Sequence, residues 1–215
     1  MFGLDDFLAS LSDGTSLAVV AAVAILLGLR HATDPDHLAA VSTLLVSAED
    51  RGRAAARLGA AWGAGHAATL FAFGAPVVLF RAYLPETVQR GAETAIGLLI
   101  ACLAVRLLLR WRRNALHASN RTPLGAFSVG LLHGIGGSAG VGILLVSTID
   151  GRTLAIGALG ILALCTAASM TLLTTGFGLT LARRSLARLA PALGIASLTF
   201  GLWYALGAQN LLPYL

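Results

Sequence analysis

The chain has 215 residues, 57% of them hydrophobic and only 12% charged, with a formal net charge of +5. A soluble domain carries about 25% charged residues. Half that share, with a mean hydropathy of +0.81, excludes an ordinary soluble domain and predicts an all-α, polytopic membrane protein. The basic charge is all arginine, with no lysine. In an apolar chain it reflects topology and anionic lipid and not nucleic acid.

The length accommodates about six spans of roughly 20 residues with short connections, and leaves no room for a soluble domain. The N-terminal stretch carries Asp5, Asp6 and Asp13 and lacks the basic start of a signal peptide, so the first span is expected to be retained. Spans are predicted at 15–47, 58–80, 92–110, 124–148, 153–181 and 191–211. Three connections are rich in arginine: Arg51, Arg53 and Arg57; then Arg110, Arg112, Arg113 and Arg121; then Arg183, Arg184 and Arg188. The positive-inside rule puts these three in the cytoplasm and both termini outside. Pro76, Pro85, Pro123 and Pro191 are expected near span ends, where they cost little. Cys102 and Cys165 lie far apart in apolar runs and read as packing residues.

The first span is too long for one straight crossing: its 33 residues, 15–47, would cover about 50 Å as a helix, against a hydrocarbon core of about 30 Å. Its middle carries Arg30, His31, Asp34, Pro35, Asp36 and His37. Pro35 removes the helical partner of the His31 carbonyl, and Asp34 is pushed away from helical angles. Asp34-Pro35 also reads as a helix cap followed by proline at the first helical position. The first span is therefore predicted to break, one half ending near His31 and the other starting at Pro35. The carbonyls of Leu27 to Arg30 would then be free to face a cation.

The chain repeats itself. Gly28-Leu29-Arg30-His31 returns as Gly130-Leu131-Leu132-His133, Leu44-Leu45-Val46-Ser47 as Leu144-Leu145-Val146-Ser147, and Thr69-Leu70 with Gly74 as Thr171-Leu172 with Gly176. These matches, in order, divide a single transmembrane domain (1–215) into repeats of about 15–110 and about 124–211. Three spans per repeat is odd, so the halves would lie inverted, a recurring plan of secondary transporters with broken helices.

Ionisable groups inside a bilayer are costly and mark ion or substrate paths. Two imidazoles and two carboxylates within seven residues suit a divalent transition ion. His31 and His37 are six residues apart, about 600° around a regular helix, and share a face only if the helix is interrupted. The metal-ligating candidates are His31, Asp34, Asp36, His37 and His66, the last within Gly63-Ala64-Gly65-His66. Pathway candidates are Arg30, His133 and Ser138, the latter two in the run His133-Gly134-Ile135-Gly136-Gly137-Ser138-Ala139-Gly140. That run is too glycine-rich for a comfortable helix and is expected to line a cavity with backbone groups. His117 reads as solvated, and Ser42, Thr43, Ser169, Thr171 and Thr174 as interhelical hydrogen-bonding residues.

Arg30 to Leu38, RHATDPDHL, resembles the nickel/cobalt transporter signature RHAxDADHI, with its H-x4-D-H core at His31, Asp36 and His37. Gly65-His66-Ala67-Ala68-Thr69 resembles that family's GHxT-like second motif, with one extra residue before the threonine. The resemblance implies Ni²⁺ or Co²⁺ recognition by His31, Asp34, Asp36 and His37, and by His66. Family members usually carry an additional first span and an additional late span. The HGIGGSAG run is similar instead to shorter six-span permeases found with urease and hydrogenase accessory genes. Those relatives shade into a sulfite/organosulfur exporter-like group.

The expected function is secondary uptake of Ni²⁺ or Co²⁺ across the plasma (inner) membrane. The ion is cargo, no resident cofactor is implied, and the partners are the ion and the bilayer, with no nucleic acid; neither an oligomer nor a metallochaperone is read from the sequence. The alternative is an anion exporter using Arg30, the glycine-rich turn and half-helix N-termini as donors; two aspartates beside Arg30 argue against it. An enzyme is not expected. Gly136-x-Ser138-x-Gly140 fits a nucleophile elbow by letters, but no histidine follows His133 and there is no HExxH. Without a GxxxxGK[ST] loop, ATP coupling would need a partner.

Overall fold

The computed structural model describes residues 17–45, 52–80, 85–115, 122–134, 143, 149, 151–180 and 183–211. Among them are seven helices and no strand: α1 (Leu17–His31), α2 (Pro35–Leu45), α3 (Arg53–Phe80), α4 (Glu86–Arg112), α5 (Pro123–His133), α6 (Arg152–Thr180) and α7 (Arg183–Ala208). α3, α4, α6 and most of α7 are each long and apolar enough to cross a membrane. The α1–α2 pair makes a fifth span if counted as one, bent by 46° at its break. Of the expected span 124–148, only α5, Gly134 and Ile143 are described.

Helix starts follow local chemistry. Pro35 and Pro123 open α2 and α5, where a missing N–H costs nothing. The Thr122 hydroxyl accepts from the Gly125 amide at 3.1 Å and caps α5. α3 and α4 run beyond the expected 58–80 and 92–110 because the turns carrying Arg53, Arg57, Glu86, Arg90 and Arg112 stay helical. A helix of 27 residues, as α4 is, spans about 40 Å, close to a bilayer with its headgroups. Charged side chains at both ends reach the interface. Pro191 departs from expectation: α7 begins at Arg183 and carries it inside, since one proline removes a single ladder bond without ending a helix held by its neighbours.

Two bodies emerge from the packing. α3 lies against α5 and α6, and α1 against α6; α4 and α7 pair along their length. Val20, Val23 and Leu27 of α1 meet Leu70, Val77 and Val78 of α3 and Leu159 and Leu162 of α6 in the larger core. Ile96 and Ile100 of α4 pack with Tyr204 of α7. α2 sits between: Ala40 and Val41 join Leu58, Trp62 and Met170, while Ala39 joins the α4–α7 cluster. Leu98, Leu124, Leu164 and Leu172 stay exposed on outer faces, as lipid-facing residues do.

Glycines set the closest crossings. A Cβ at Gly28 would meet Cys165 Cβ at 2.7 Å and the Leu162 carbonyl at 2.8 Å. One at Gly130 would collide with the Trp62 carbonyl, and one at Gly65 with the Phe127 carbonyl. α1 and α5 therefore press backbone to backbone on α6 and α3, and no side chain other than hydrogen fits there.

Candidate metal centre

The expected break is present. α1 ends at His31, a turn of three residues follows, and α2 starts at Pro35. Of the carbonyls from Leu27 to Arg30, those of Leu29 and Arg30 are not free. The Arg30 carbonyl accepts from the Thr33 amide (2.9 Å) and hydroxyl (2.6 Å), and the His31 carbonyl from the Asp34 amide (3.2 Å). The Leu29 carbonyl accepts from the Ser169 hydroxyl of α6 at 2.7 Å. A three-residue turn is long enough to restore i→i−3 bonds, and Ser169 bonds the Leu29 carbonyl across the interface. The side chains around the break are the candidates to meet a cation.

Those side chains converge. His31 at the end of α1, Asp36 and His37 in the first turn of α2, His66 midway along α3 and His133 at the end of α5 are all buried, as is Asp34. Four of the chain's five histidines are in this cluster; His117 lies outside the described residues. His31 Nε2 and His66 Nε2 are 2.9 Å apart, one ring donating and the other accepting. His37 Nδ1 donates to Asp36 Oδ1 at 3.1 Å, and His133 Nε2 donates to Asp36 Oδ2 at 3.0 Å. The His37 ring centroid lies 4.7, 5.0 and 4.5 Å from those of His31, His66 and His133. It is the centre of the cluster.

Two triads have donor atoms close enough to share an ion: His31, His37 and His66; and Asp36, His37 and His133. Buried polar atoms nearly always have partners, yet His37 Nε2, His66 Nδ1 and His133 Nδ1 have none. When a neutral imidazole donates from one nitrogen, the other keeps a lone pair. A buried lone pair with no donor beside it is what a metal ligand requires.

Asp34 stands outside both triads. Its carboxylate turns back to His31 Nδ1 at 3.5 Å and Arg30 Nη2 at 3.8 Å. A carboxylate behind an imidazole can fix ring orientation, and Asp34 stands in that place behind His31. Arg30, expected on the pathway, is half-buried beside Asp34. Ser138 lies outside the described residues. His133, expected only on the pathway, is a full member of the cluster. The hydroxyls of Ser42, Thr171 and Thr174 bond carbonyls of their own helices. The Thr43 hydroxyl also bonds a carbonyl of its own helix, and Ser169 bridges two helices at 2.7 Å.

Sequence reasoning missed Trp62. It is fully buried, 5.6 Å from the His37 ring and 6.1 Å from that of His133, and its Nε1 has no partner. The signal was available: Trp62 lies four residues before His66, on the same helix face.

The ends of α1 and α5 both point at the cluster, since His31 and His133 are their last residues. Helix C-termini carry partial negative charge and favour a cation. The opposing N-terminus of α2 is offset by Asp36 in its first turn.

Fold and site together define a multi-pass α-helical membrane protein with a buried histidine–aspartate cluster of metal-ligating type. Over 153 residues, 64% of this chain and 67% of the other, it is similar to the urease accessory protein UreH of Bacillus sp. (strain TB-90), with 26% identity. The chain matches no protein-family model, and no solved structure matches it.

Proposed function

We propose that this protein is a secondary permease that takes up divalent transition-metal ions, Ni²⁺ or Co²⁺, through the His31/Asp36/His37/His66/His133 cluster. The observation that carries the reading is the pair of buried donor triads meeting at His37, where spans from both halves of the chain come together. An imidazole and carboxylate donor set suits divalent transition ions of this kind. The motif resemblance to nickel/cobalt transporters, which extends to permeases found with urease accessory genes, and the similarity to a urease accessory protein point the same way. Arg30, one of the donors that the anion-exporter alternative would use, lies 3.8 Å from the Asp34 carboxylate. No enzymatic step and no resident cofactor are invoked.

The packing supports the inverted repeat. Exchange of the first span with α5, α3 with α6 and α4 with α7 maps α1·α6 onto α5·α3 and leaves α3·α6 and α4·α7 in place. Gly28 abuts Leu162 and Thr166 as Gly130 abuts Trp62 and His66. In this reading the protein is a multi-pass protein of the plasma membrane with both termini outside. Cysteines introduced near Arg53, Arg112 and Arg184 should label from the cytoplasm. Labelling of positions 112 and 152 from one side would exclude the inverted six-span topology.

The direct test is titration of purified protein with Ni²⁺ and Co²⁺. Imidazole must be neutral and Asp36 ionised to ligate. Affinity should therefore fall as acid supplies protons that compete with the ion for the same donor atoms. Absence of transition-metal binding would overturn the reading.

A further inference from the structure

The two triads share one residue, and that residue uses its two ring nitrogens differently. His37 Nδ1 faces Asp36 at 3.1 Å, on the side where Asp36 also holds His133 at 3.0 Å. His37 Nε2 is buried without a partner. On the other side of the ring network, His31 and His66 already meet at 2.9 Å through their Nε2 atoms, and their centroids lie within 5.0 Å of the His37 ring. The rings of His66 and His133 are farther from each other, at 6.2 Å, than either is from His37.

We propose that the cluster is two successive ion stations joined by His37, an all-imidazole station of His31, His37 and His66 and a mixed station of Asp36, His37 and His133, with the ion handed from one to the other across the His37 ring. The inference rests on the metal-permease reading and deepens it. Nε2 of His37 serves the first station and Nδ1 the second. A neutral imidazole carries one N–H, so it ligates through one nitrogen at a time. Holding both stations at once would require the ring to lose that proton. One ion therefore occupies the cluster, and its passage moves the His37 proton between Nδ1 and Nε2 with no net gain or loss.

The chemistry of the stations differs in a useful order. Three neutral imidazoles add no charge and bind by ligand softness; a carboxylate with two imidazoles is a harder, anionic set. An ion that pauses in two different sets is bound weakly enough by each to leave, which conduction through several sites requires.

The test uses the full chain in detergent and Ni²⁺ as the probe, with titration, X-ray absorption to count imidazole ligands, and uptake in proteoliposomes. His133→Ala leaves the first station whole and should bind one ion through three imidazoles. His66→Ala leaves the second station whole and should bind one ion through two imidazoles and oxygen. Each should weaken affinity by about tenfold, the scale seen when a metal site loses support, and each should lose most uptake. The double variant should lose binding altogether. If both single variants show the same ligand set, each one imidazole short of a wild-type count of four, the cluster is a single site and the two-station proposal is wrong. Wild-type uptake in either variant would also overturn it. A wild-type chain that binds no Ni²⁺ instead removes the permease reading itself.

Discussion

Replacing His37 with alanine is expected to reduce Ni²⁺ affinity by about a hundredfold or more, the largest loss of any single substitution in the cluster, because losing a ligand exceeds the 10–100-fold typical of losing a supporting group. His37 is the member common to both triads, so its removal leaves neither with three donors. Asp36→Asn tests the same centre without removing volume. It keeps the size of the side chain but deletes the charge that meets His37 and His133, and affinity should fall by about tenfold or more. Asp34→Asn should be milder, because Asp34 lies outside both triads and asparagine still caps a helix. The measurement is metal titration of each purified, monodisperse variant. Wild-type affinity in monodisperse His31→Ala and His37→Ala would make the cluster a structural polar network.

Gly130→Ala should be the most damaging substitution outside the cluster. A methyl group there runs into the Trp62 carbonyl, with the His66 amide 2.9 Å away. Backbone cannot swing aside as a flexible side chain can, so α5 must move off α3. Overpacking of this kind costs about 3 kcal/mol, at the upper end of its range, and it displaces His133 from Asp36 as well. The control is Gly160→Ala in α6, where nothing lies within 4 Å of the added Cβ. There alanine should gain up to about 1 kcal/mol of helix propensity. Thermal unfolding in detergent should show a lower midpoint for Gly130→Ala only; equal midpoints would mean that the α3–α5 crossing is looser than its geometry.

Much of this was legible in the sequence for identifiable reasons. Asp34-Pro35 breaks a helix by local sterics alone, so the interruption needed no tertiary knowledge. The donors in 31–37 stood out because ionisable groups are rare in apolar spans. His133 was visible as the repeat of His31, but its bond to Asp36 joins residues 97 positions apart, and no local pattern encodes that. Trp62 was overlooked because an aromatic among alanines and glycines reads as packing. The carbonyls of Leu29 and Arg30 were misjudged because their partners, Ser169 and Thr33, are set by an interhelical contact and a side-chain rotamer. Helix ends ran past the apolar windows because hydropathy marks the hydrocarbon slab and not the helix.

The position of α2 has a mechanical consequence. The chain does not divide into two rigid bodies at its midpoint, since each half's first span packs on the other half's second. The division that cuts fewest contacts separates α1, α3, α5 and α6 from the α4–α7 pair, and α2 lies in the seam, touching both. His31, His66 and His133 thus ride on one body, while Asp36 and His37 ride on the seam element, joined to α1 by a turn of three residues. A shift of the α4–α7 pair would press on α2, and so on the two residues around which the other cluster side chains are arranged.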